Sequence, residues 1–308
     1  MEAAAIIPFT EELLPAWAEL HNAAFATQHN FWPVSPRVLK RRIVDAPGFA
    51  HSLLLFARRE GRLDGFAHAG PGKAGPELFA IGVRPDARRG GVGTSLVNAM
   101  RAQLGTLRVD SRGMNAFWGN TRGPQTCFFG MVEGIGIDAA DAAALRFFET
   151  IGARPRPVAV NLRVMPQSLY LEPGRDARRR AETLGYEFGL LRSRCPQLGA
   201  GMDSERPMTG QGWFTAVASQ AETVAGICVG FPMPELGPGR FGIFALETAR
   251  EHRRRGLGSA LAMHALLEMQ AGLFTACEVT TVPKESPGAM ELYERLGFEA
   301  CARFQLVE

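Results

Sequence analysis

Two short basic, glycine-rich segments of this chain have the composition of a phosphate-binding turn. The first is Arg88-Arg89-Gly90-Gly91-Val92-Gly93-Thr94-Ser95-Leu96, and the second is Arg253-Arg254-Arg255-Gly256-Leu257-Gly258-Ser259-Ala260-Leu261. Each is expected to open a helix, where unpaired backbone N–H groups and the positive end of the helix dipole attract an anion. Glycine lets the backbone approach a phosphate closely, and arginine adds charge-assisted hydrogen bonds. The sequence therefore predicts two phosphate cradles.

The second segment repeats the first at an offset of 165 residues (253 − 88), which is about half of the 308-residue chain. Five of the nine positions are identical: the two arginines, the two glycines and the leucine. A chain of this length can hold two domains, each with its own core. The repeat therefore predicts two tandem domains, residues 1–165 and 166–308.

The composition excludes several classes of protein. An apolar content of 46% with 21% charged residues is that of a globular chain rather than a disordered one. A net charge of +3 is too small to indicate a nucleic-acid partner. No signal peptide or membrane-spanning run is recognisable, and the five scattered cysteines show no metal-ligand spacing. We expect a cytoplasmic protein with reduced thiols and with no metal, nucleic-acid or membrane partner.

Strands and helices alternate in the same order in both halves, and each glycine loop joins a strand to a helix. This order indicates an α/β layered fold, in two copies. The main predicted strands and helices are, in the first half, 51–58, 64–69, 77–83, 94–104, 139–150 and 158–164, and, in the second, 175–184, 213–218, 223–229, 241–246, 257–269, 275–281, 286–296 and 302–307.

Two motifs in each half resemble those of the GNAT superfamily of N-acetyltransferases. The segment from Val83 and Pro85 through Arg88, Gly91 and Gly93 is similar to the acyl-CoA-binding motif of that family. A later helix has the form N-x-x-A-x-x-L-Y-x-x-x-G-F, which this chain matches as Ser286-x-x-Ala289-x-x-Leu292-Tyr293-x-x-x-Gly297-Phe298 and, in the first half, as Asp141-x-x-Ala144-x-x-Phe147-Phe148-x-x-x-Gly152-Ala153. The resemblance covers nearly the whole chain apart from about residues 174–212.

The resemblance implies the GNAT fold, a mixed central sheet flanked by helices, and acetyl-CoA as the acyl donor. The pyrophosphate is then expected on the backbone of Arg88–Thr94 and of Arg253–Ser259. The pantetheine arm is expected along the preceding strand ends, and Ser286 is included among the binding residues. These strand-end positions are Ile81, Gly82 and Val83 in the first half and Leu246, Glu247 and Thr248 in the second.

The second phosphate motif departs from the family pattern at one place, and both motifs have one other interpretation. Thr248-Ala249-Arg250 replaces the Val-x-Pro pattern in the second half. A dinucleotide-binding loop, the other phosphate-binding interpretation, needs a third glycine where this chain has Leu96 and Leu261, which argues against it.

By the same resemblance, each half has one member of a catalytic pair. Tyr293 occupies the position of the general acid, and its first-half counterpart is Phe148. Glu77, eleven residues before Arg88, has the spacing of a catalytic base, and its second-half counterpart is Gly242. Three interpretations follow: the second half is the catalyst with a base not yet placed, the first half is the catalyst with an unassigned acid, or both bind acetyl-CoA and one turns over. We favour the second half.

The predicted reaction is direct attack of a primary amine, from a small molecule or a peptide, on acetyl-CoA in a ternary complex. No Cys or Ser–His arrangement in the motifs indicates an acyl-enzyme. The alternative is a non-catalytic acyl-CoA-binding or sensing protein. We expect a monomer whose two domains act as a pseudo-dimer.

The first half also has about 20 extra residues between its two motifs. They include Phe117-Trp118-Gly119-Asn120 and Cys127-Phe128-Phe129-Gly130. Aromatic insertions of this kind wall a substrate pocket, cover an interface or pack between the two halves, and the sequence leaves these alternatives open.

Overall fold

The structure is a computed structural model, and it describes residues 4–72, 74–110, 117–119, 124–204, 206–207 and 212–308. The helices and strands of the first half are, in chain order, β1 (Ala5–Pro8), α1 (Leu14–Phe25), α2 (Pro36–Leu39), β2 (Leu54–Arg59), β3 (Arg62–Gly72), β4 (Gly75–Val83), α3 (Val92–Leu104), β5 (Arg108–Val109), β6 (Ile137–Asp138), α4 (Ala142–Thr150) and β7 (Pro155–Val164).

Those of the second half are α5 (Glu172–Thr183), β8 (Glu187–Arg192), β9 (Arg194–Cys195), β10 (Arg206–Pro207), β11 (Phe214–Gln220), β12 (Thr223–Pro232), β13 (Arg240–Thr248), α6 (Leu257–Ala271), β14 (Ala276–Thr281), α7 (Pro287–Arg295) and β15 (Glu299–Val307). In the described part of the chain, no helix is both long enough and apolar enough to span a bilayer.

Contacts divide the chain into two compact units that exchange chain segments. The first unit comprises the described residues within Met1–Thr121, Cys127–Arg156 and Phe304–Glu308. The second comprises those within Arg122–Thr126 and Pro157–Arg303. The strand that closes the first half therefore contributes most of its length to the second unit, and the end of the chain contributes to the first. The limits 1–165 and 166–308 remain a prediction about where the repeats meet along the chain.

The sheet of the first unit has the order β1-β2-β3-β4-β5. Neighbouring strands are antiparallel except for β4 and β5, which are parallel. Helix α3 buries Val92, Leu96, Val97 and Met100 against small side chains of β2 and β3, among them Ala57 and Ala67. Small residues on those strands let the helix approach closely.

The second unit repeats this arrangement with β8, β11, β12, β13 and β14 in the corresponding places. β13 and β14 are its parallel pair, and β7 adds an antiparallel strand beside β14. Helix α6 packs on this sheet through Leu257, Leu261 and Ala265. Helix α5 packs closely on α6 at Gly174. A Cβ at this position would lie 2.3 Å from the Cβ of Met263, so a larger residue would not fit.

Most predicted elements are confirmed, with shifts at their ends. α3 begins at Val92 rather than at Thr94, because the left-handed residue Gly91 directly before it serves as the N-cap. The strand expected over 51–58 begins at Leu54, since 51–53 form a 3-10 turn. The sequence patterns do not predict β1 and β8, because β1 has only four residues and β8 contains Gly189, a residue that weakens a strand pattern.

The first unit depends on the last residues of the chain. Phe304 is fully buried there, and its strand pairs with β6 through Asp138. Glu308 exchanges two backbone hydrogen bonds with Arg154, of 2.6 and 2.9 Å, and its carboxylate binds Arg156 at 2.6 Å.

We predict that Phe304→Ala destabilises the first unit by about 3–5 kcal/mol, the usual cost of deleting a buried Phe side chain. Hydrogen exchange measured by mass spectrometry should rise in peptides of β2 and β3. Phe298→Ala is the matched control, because Phe298 is equally buried but belongs to the second unit. It should raise exchange in β11 and β12 first. The reverse pattern would contradict the segment exchange.

Candidate functional site

A β-bulge opens the sheet of the first unit between two parallel strands. The pairing of β4 with β5 ends at Leu78 and Val109, although β4 continues to Val83. Immediately after Leu78 the register against β3 shifts, so that Phe79 is an extra residue in β4. A bulge bends and twists its strand. Beyond the bulge β4 stays paired with β3 up to Val83, and among the described residues no strand pairs with its other edge, which leaves a cleft beside it.

The second unit contains the same bulge at the equivalent position. The pairing of β13 with β14 ends at Ile243 and Val279, while both strands continue. The register against β12 shifts so that Phe244 is the extra residue, 165 positions after Phe79. The repeat thus extends from the sequence motif to an irregularity of the backbone.

Each glycine loop follows its free strand end and turns into a helix through two left-handed residues. Arg89 and Gly91 have φ angles of 62° and 78°, and Arg254 and Gly256 have 64° and 83°. Gly91 and Gly256 are the N-caps of α3 and α6, and among the described residues no side chain caps either helix. The first backbone N–H groups of both helices have no partner within the helix. Both predicted cradles therefore have the expected backbone form.

The first arginine of each loop braces that loop against the strand before it. Arg88 Nε donates to the Val83 carbonyl at 3.3 Å, and Arg253 Nε donates to the Thr248 carbonyl at 3.2 Å. Arg88 also donates through Nη2 to the Ala24 carbonyl at 2.9 Å. These bonds fix the position of the loops, a function that the sequence alone does not reveal.

The last glycine of each loop lets the two following helices pack closely. A Cβ on Gly93 would lie 3.0 Å from the ring of Phe147, and one on Gly258 would lie 2.9 Å from Leu292 Cδ1. Phe147 and Leu292 are equivalent positions of the second motif. The two motifs are therefore in contact in both units, which explains why they occur together.

The cleft of the first unit leads into an apolar cavity of about 410 Å³. It brings together almost all the binding positions predicted for the first half, and Phe129 and Phe148 form part of its wall. These predicted positions are Ile81, Gly82, Val83, Arg88, Arg89, Gly91, Val92, Gly93 and Thr94. Among the described lining residues there is no tyrosine, histidine or cysteine. Glu77, near the start of β4, does not line the cavity either. Its carboxyl group lies over Gly72.

The aromatic insertion packs into the core of the first unit, and its predicted residue Asn120 lies outside the described residues. Trp118 stacks on His21 with ring centroids 5.8 Å apart, and its Nε1 donates to His68 Nδ1 at 3.0 Å. Burial lowers the pKa of His68 to about 3, so this ring stays neutral and can accept that bond. Phe129 stacks on Phe25 with centroids 4.0 Å apart. The insertion thus stiffens the cavity wall.

Tyr293 lies on α7, in the core of the second unit. Its side chain is 3% exposed, and its ring centroid is 5.2 Å from that of Phe298. Ser286 is the exposed N-cap residue of the same helix, and Leu246, Glu247 and Thr248 form the free end of β13. Tyr293 directly follows Leu292, the residue that packs on the Gly258 position. The second motif is therefore beside the second cradle.

The structure also reveals a buried carboxylate that the sequence analysis missed. Glu278 on β14 is opposite Gly242 in the register, where Gly242 is the counterpart of Glu77. Its carboxylate is fully buried and binds Arg163 and Arg240, each at 2.6 Å. Asn161 donates to it at 3.3 Å. A glutamate in the apolar strand Ala276–Thr281 was the available signal. A carboxylate neutralised by two guanidinium groups is suited to an ionic cluster rather than to accepting a proton.

Comparison with known proteins agrees with this geometry. A sequence model of the acetyltransferase (GNAT) family matches residues 14–113 and 190–298, which together are more than half of the chain. The chain belongs to the GNAT family. Each match contains its own glycine loop, so the family assignment applies to each half. No curated protein matches the chain by sequence.

Solved structures show the tandem fold. A tandem GNAT protein from the clavulanic acid biosynthesis pathway is 17% identical with a TM-score of 0.67, and the match covers 98% of this chain and 97% of that one. A GCN5-related N-acetyltransferase from Sphaerobacter thermophilus is 17% identical with a TM-score of 0.60, over 98% and 94%. A glucosamine N-acetyltransferase region in a fungal multi-domain GH3 β-N-acetylglucosaminidase is also 17% identical with a TM-score of 0.68. That match covers all of this chain but 38% of the fungal one. At this identity the likeness concerns the fold alone.

We predict that Gly91→Asp and Gly256→Asp each remove one acetyl-CoA site. Both glycines are left-handed, and an aspartate there adds strain and a negative charge to a cradle for anions. Calorimetric titration should show the stoichiometry of each variant falling by one relative to wild type. Gly189→Asp is the control, because a Cβ at Gly189 meets nothing within 4 Å. An unchanged stoichiometry would show that the altered loop is not a cradle.

Proposed function

We propose that this protein is an acetyl-CoA-dependent N-acetyltransferase whose second unit carries out the transfer. The observation that carries the proposal is the duplicated combination of a bulge, parallel pairing that ends at the bulge, and an uncapped glycine loop. In a GNAT protein these features suit binding of an acyl-CoA, with its phosphates at the loop and its thioester in the cleft. The residues present fit that co-substrate, because the glycines leave the helix starts open and the cavity is mainly apolar.

The distribution of tyrosines favours the second unit as the catalyst. The chain has three tyrosines, Tyr170, Tyr186 and Tyr293, and all lie in the second half. At the equivalent of Tyr293, the cavity of the first unit has Phe148, which cannot donate a proton. We infer that the first unit binds or stabilises and that the second unit reacts.

The proposed reaction is a direct transfer. The acceptor is a primary amine of a small molecule or a peptide, which loses its proton to a base. The neutral nitrogen then forms a bond to the thioester carbonyl carbon, and the C–S bond breaks as the tetrahedral intermediate collapses. Tyr293 donates its phenolic proton to the departing thiolate, and the proton that the attacking nitrogen loses as the amide forms returns through water to the phenolate. Glu278 is held by two arginines, so we propose water, rather than Glu278, as the immediate proton acceptor in the second unit.

The first experiment is a calorimetric titration with acetyl-CoA, followed by release of free thiol across a panel of primary amines. Binding with amine-dependent thiol release supports the transferase. Binding with only slow thioester hydrolysis would favour the alternative, a non-catalytic acyl-CoA-binding or sensing protein. No binding would contradict both.

We predict that Tyr293→Phe lowers kcat by about 100-fold or more, the usual contribution of a general acid, with little change in acetyl-CoA affinity. Steady-state kinetics and calorimetry measure the two effects. Tyr170→Phe is the control, because Tyr170 is 58% exposed. Unchanged turnover in Tyr293→Phe would remove this residue from the mechanism.

Glu77→Gln distinguishes the two halves. If the second unit is the catalyst, we expect this variant to retain wild-type kcat, because Glu77 belongs to the first unit. A loss of turnover comparable to that of Tyr293→Phe would instead assign catalysis to the first unit, with Glu77 as its base.

A further inference from the structure

The two cradles differ in one charged position. Arg255 of the second loop corresponds to Gly90 of the first, at the same offset of 165 residues. Both residues are exposed, so neither is required for core packing. The second loop therefore carries an additional guanidinium group directly before its left-handed glycine.

The guanidinium of Arg255 is held by a buried tyrosine. Arg255 Nη1 donates to the Tyr186 hydroxyl at 2.7 Å, and that hydroxyl lies 2.8 Å from His252 Nδ1. Tyr186 is 2% exposed, with its ring in the core of the second unit. The Tyr186 hydroxyl thus contacts two neighbouring segments. One is the 3-10 turn Arg250–His252, and the other is the glycine loop that follows it.

Helix α5 fixes the position of this tyrosine relative to the loop. The Tyr186 N–H donates to the carbonyl of Ala181 at the end of that helix. The same helix packs against the cradle, because a Cβ on Gly256 would lie 3.1 Å from that of Ala177. Helix, tyrosine and loop therefore form one packed assembly.

We propose that Tyr186 is a positioning residue that holds Arg255 to bind a phosphate group of coenzyme A at the second cradle. This inference rests on the proposed function. The guanidinium has five N–H donors, and its bond to Tyr186 uses one of them. An arginine that is already held loses less side-chain freedom when it binds an anion. The second cradle is consequently the tighter acetyl-CoA site of the two.

A double-mutant cycle tests this proposal. Acetyl-CoA is titrated calorimetrically into Tyr186→Phe, Arg255→Ala and the double variant, all in a Gly91→Asp background that leaves only the second cradle. Preorganising one side chain is worth roughly 3- to 10-fold in affinity, and we expect this loss from Tyr186→Phe. The double variant should bind no more weakly than Arg255→Ala alone. Tyr170→Phe is the control for the loss of a phenolic hydroxyl.

The outcomes separate this inference from the proposed function. Losses that multiply in the double variant, or no loss in Tyr186→Phe, would overturn the positioning role while leaving the transferase intact. An equal effect of Arg255→Ala on acetyl-pantetheine, which has no nucleotide phosphates, would overturn the phosphate contact. The same titration with 3′-dephospho-acetyl-CoA identifies the phosphate. If Arg255→Ala still weakens binding of this ligand, Arg255 contacts the pyrophosphate; if it no longer does, Arg255 contacts the 3′-phosphate. A background protein that binds no acetyl-CoA while wild type binds one equivalent would overturn the second cradle itself.

Discussion

The arrangement of both candidate sites depends on one extra residue in a strand. Phe79 and Phe244 interrupt the register of their strands at the point where parallel pairing ends. Without the bulge, the neighbouring strand could pair to the end of the sheet, and its backbone groups would be occupied by hydrogen bonds. Beyond the bulge, no strand among the described residues pairs with the edge of β4 that faces β5 or with the edge of β13 that faces β14, and each strand end leads into its glycine loop. Cleft and cradle are thus two results of the same irregularity.

The two copies share this backbone and differ in their side chains. The first unit combines an apolar cavity with an aromatic insertion and has no tyrosine near its motifs. The second unit has Tyr293 in the motif whose Leu292 packs on the glycine loop, a third arginine in that loop and the additional helix α5 packed against it. Duplication followed by divergence of side chains on a retained scaffold is consistent with binding in both units and chemistry in one.

Local features of this protein could be predicted from the sequence, whereas partners distant in sequence could not. The glycine loops, the helices after them and the strands before them follow from turn residues and apolar periodicity, and they are confirmed. The cluster around Glu278 joins residues from β7, β13 and β14, so no window of sequence contains its partners. The contact between Tyr186 and Arg255 spans 69 residues. Such pairings depend on the tertiary fold, and the sequence shows only a glutamate within an apolar strand.

The exchange of segments has a consequence for biosynthesis. The backbone of Arg154 bonds to Glu308, so the first unit needs residues that the ribosome adds roughly 150 positions later. At about 5–20 residues per second, the nascent first unit waits on the order of ten seconds or more for its closing segment. During that interval the N-terminal sheet has emerged while the strand bonds to β6 are still missing. We therefore expect the first unit to reach its native state only after the segment up to Glu308 has emerged, and not before the second unit has been synthesised.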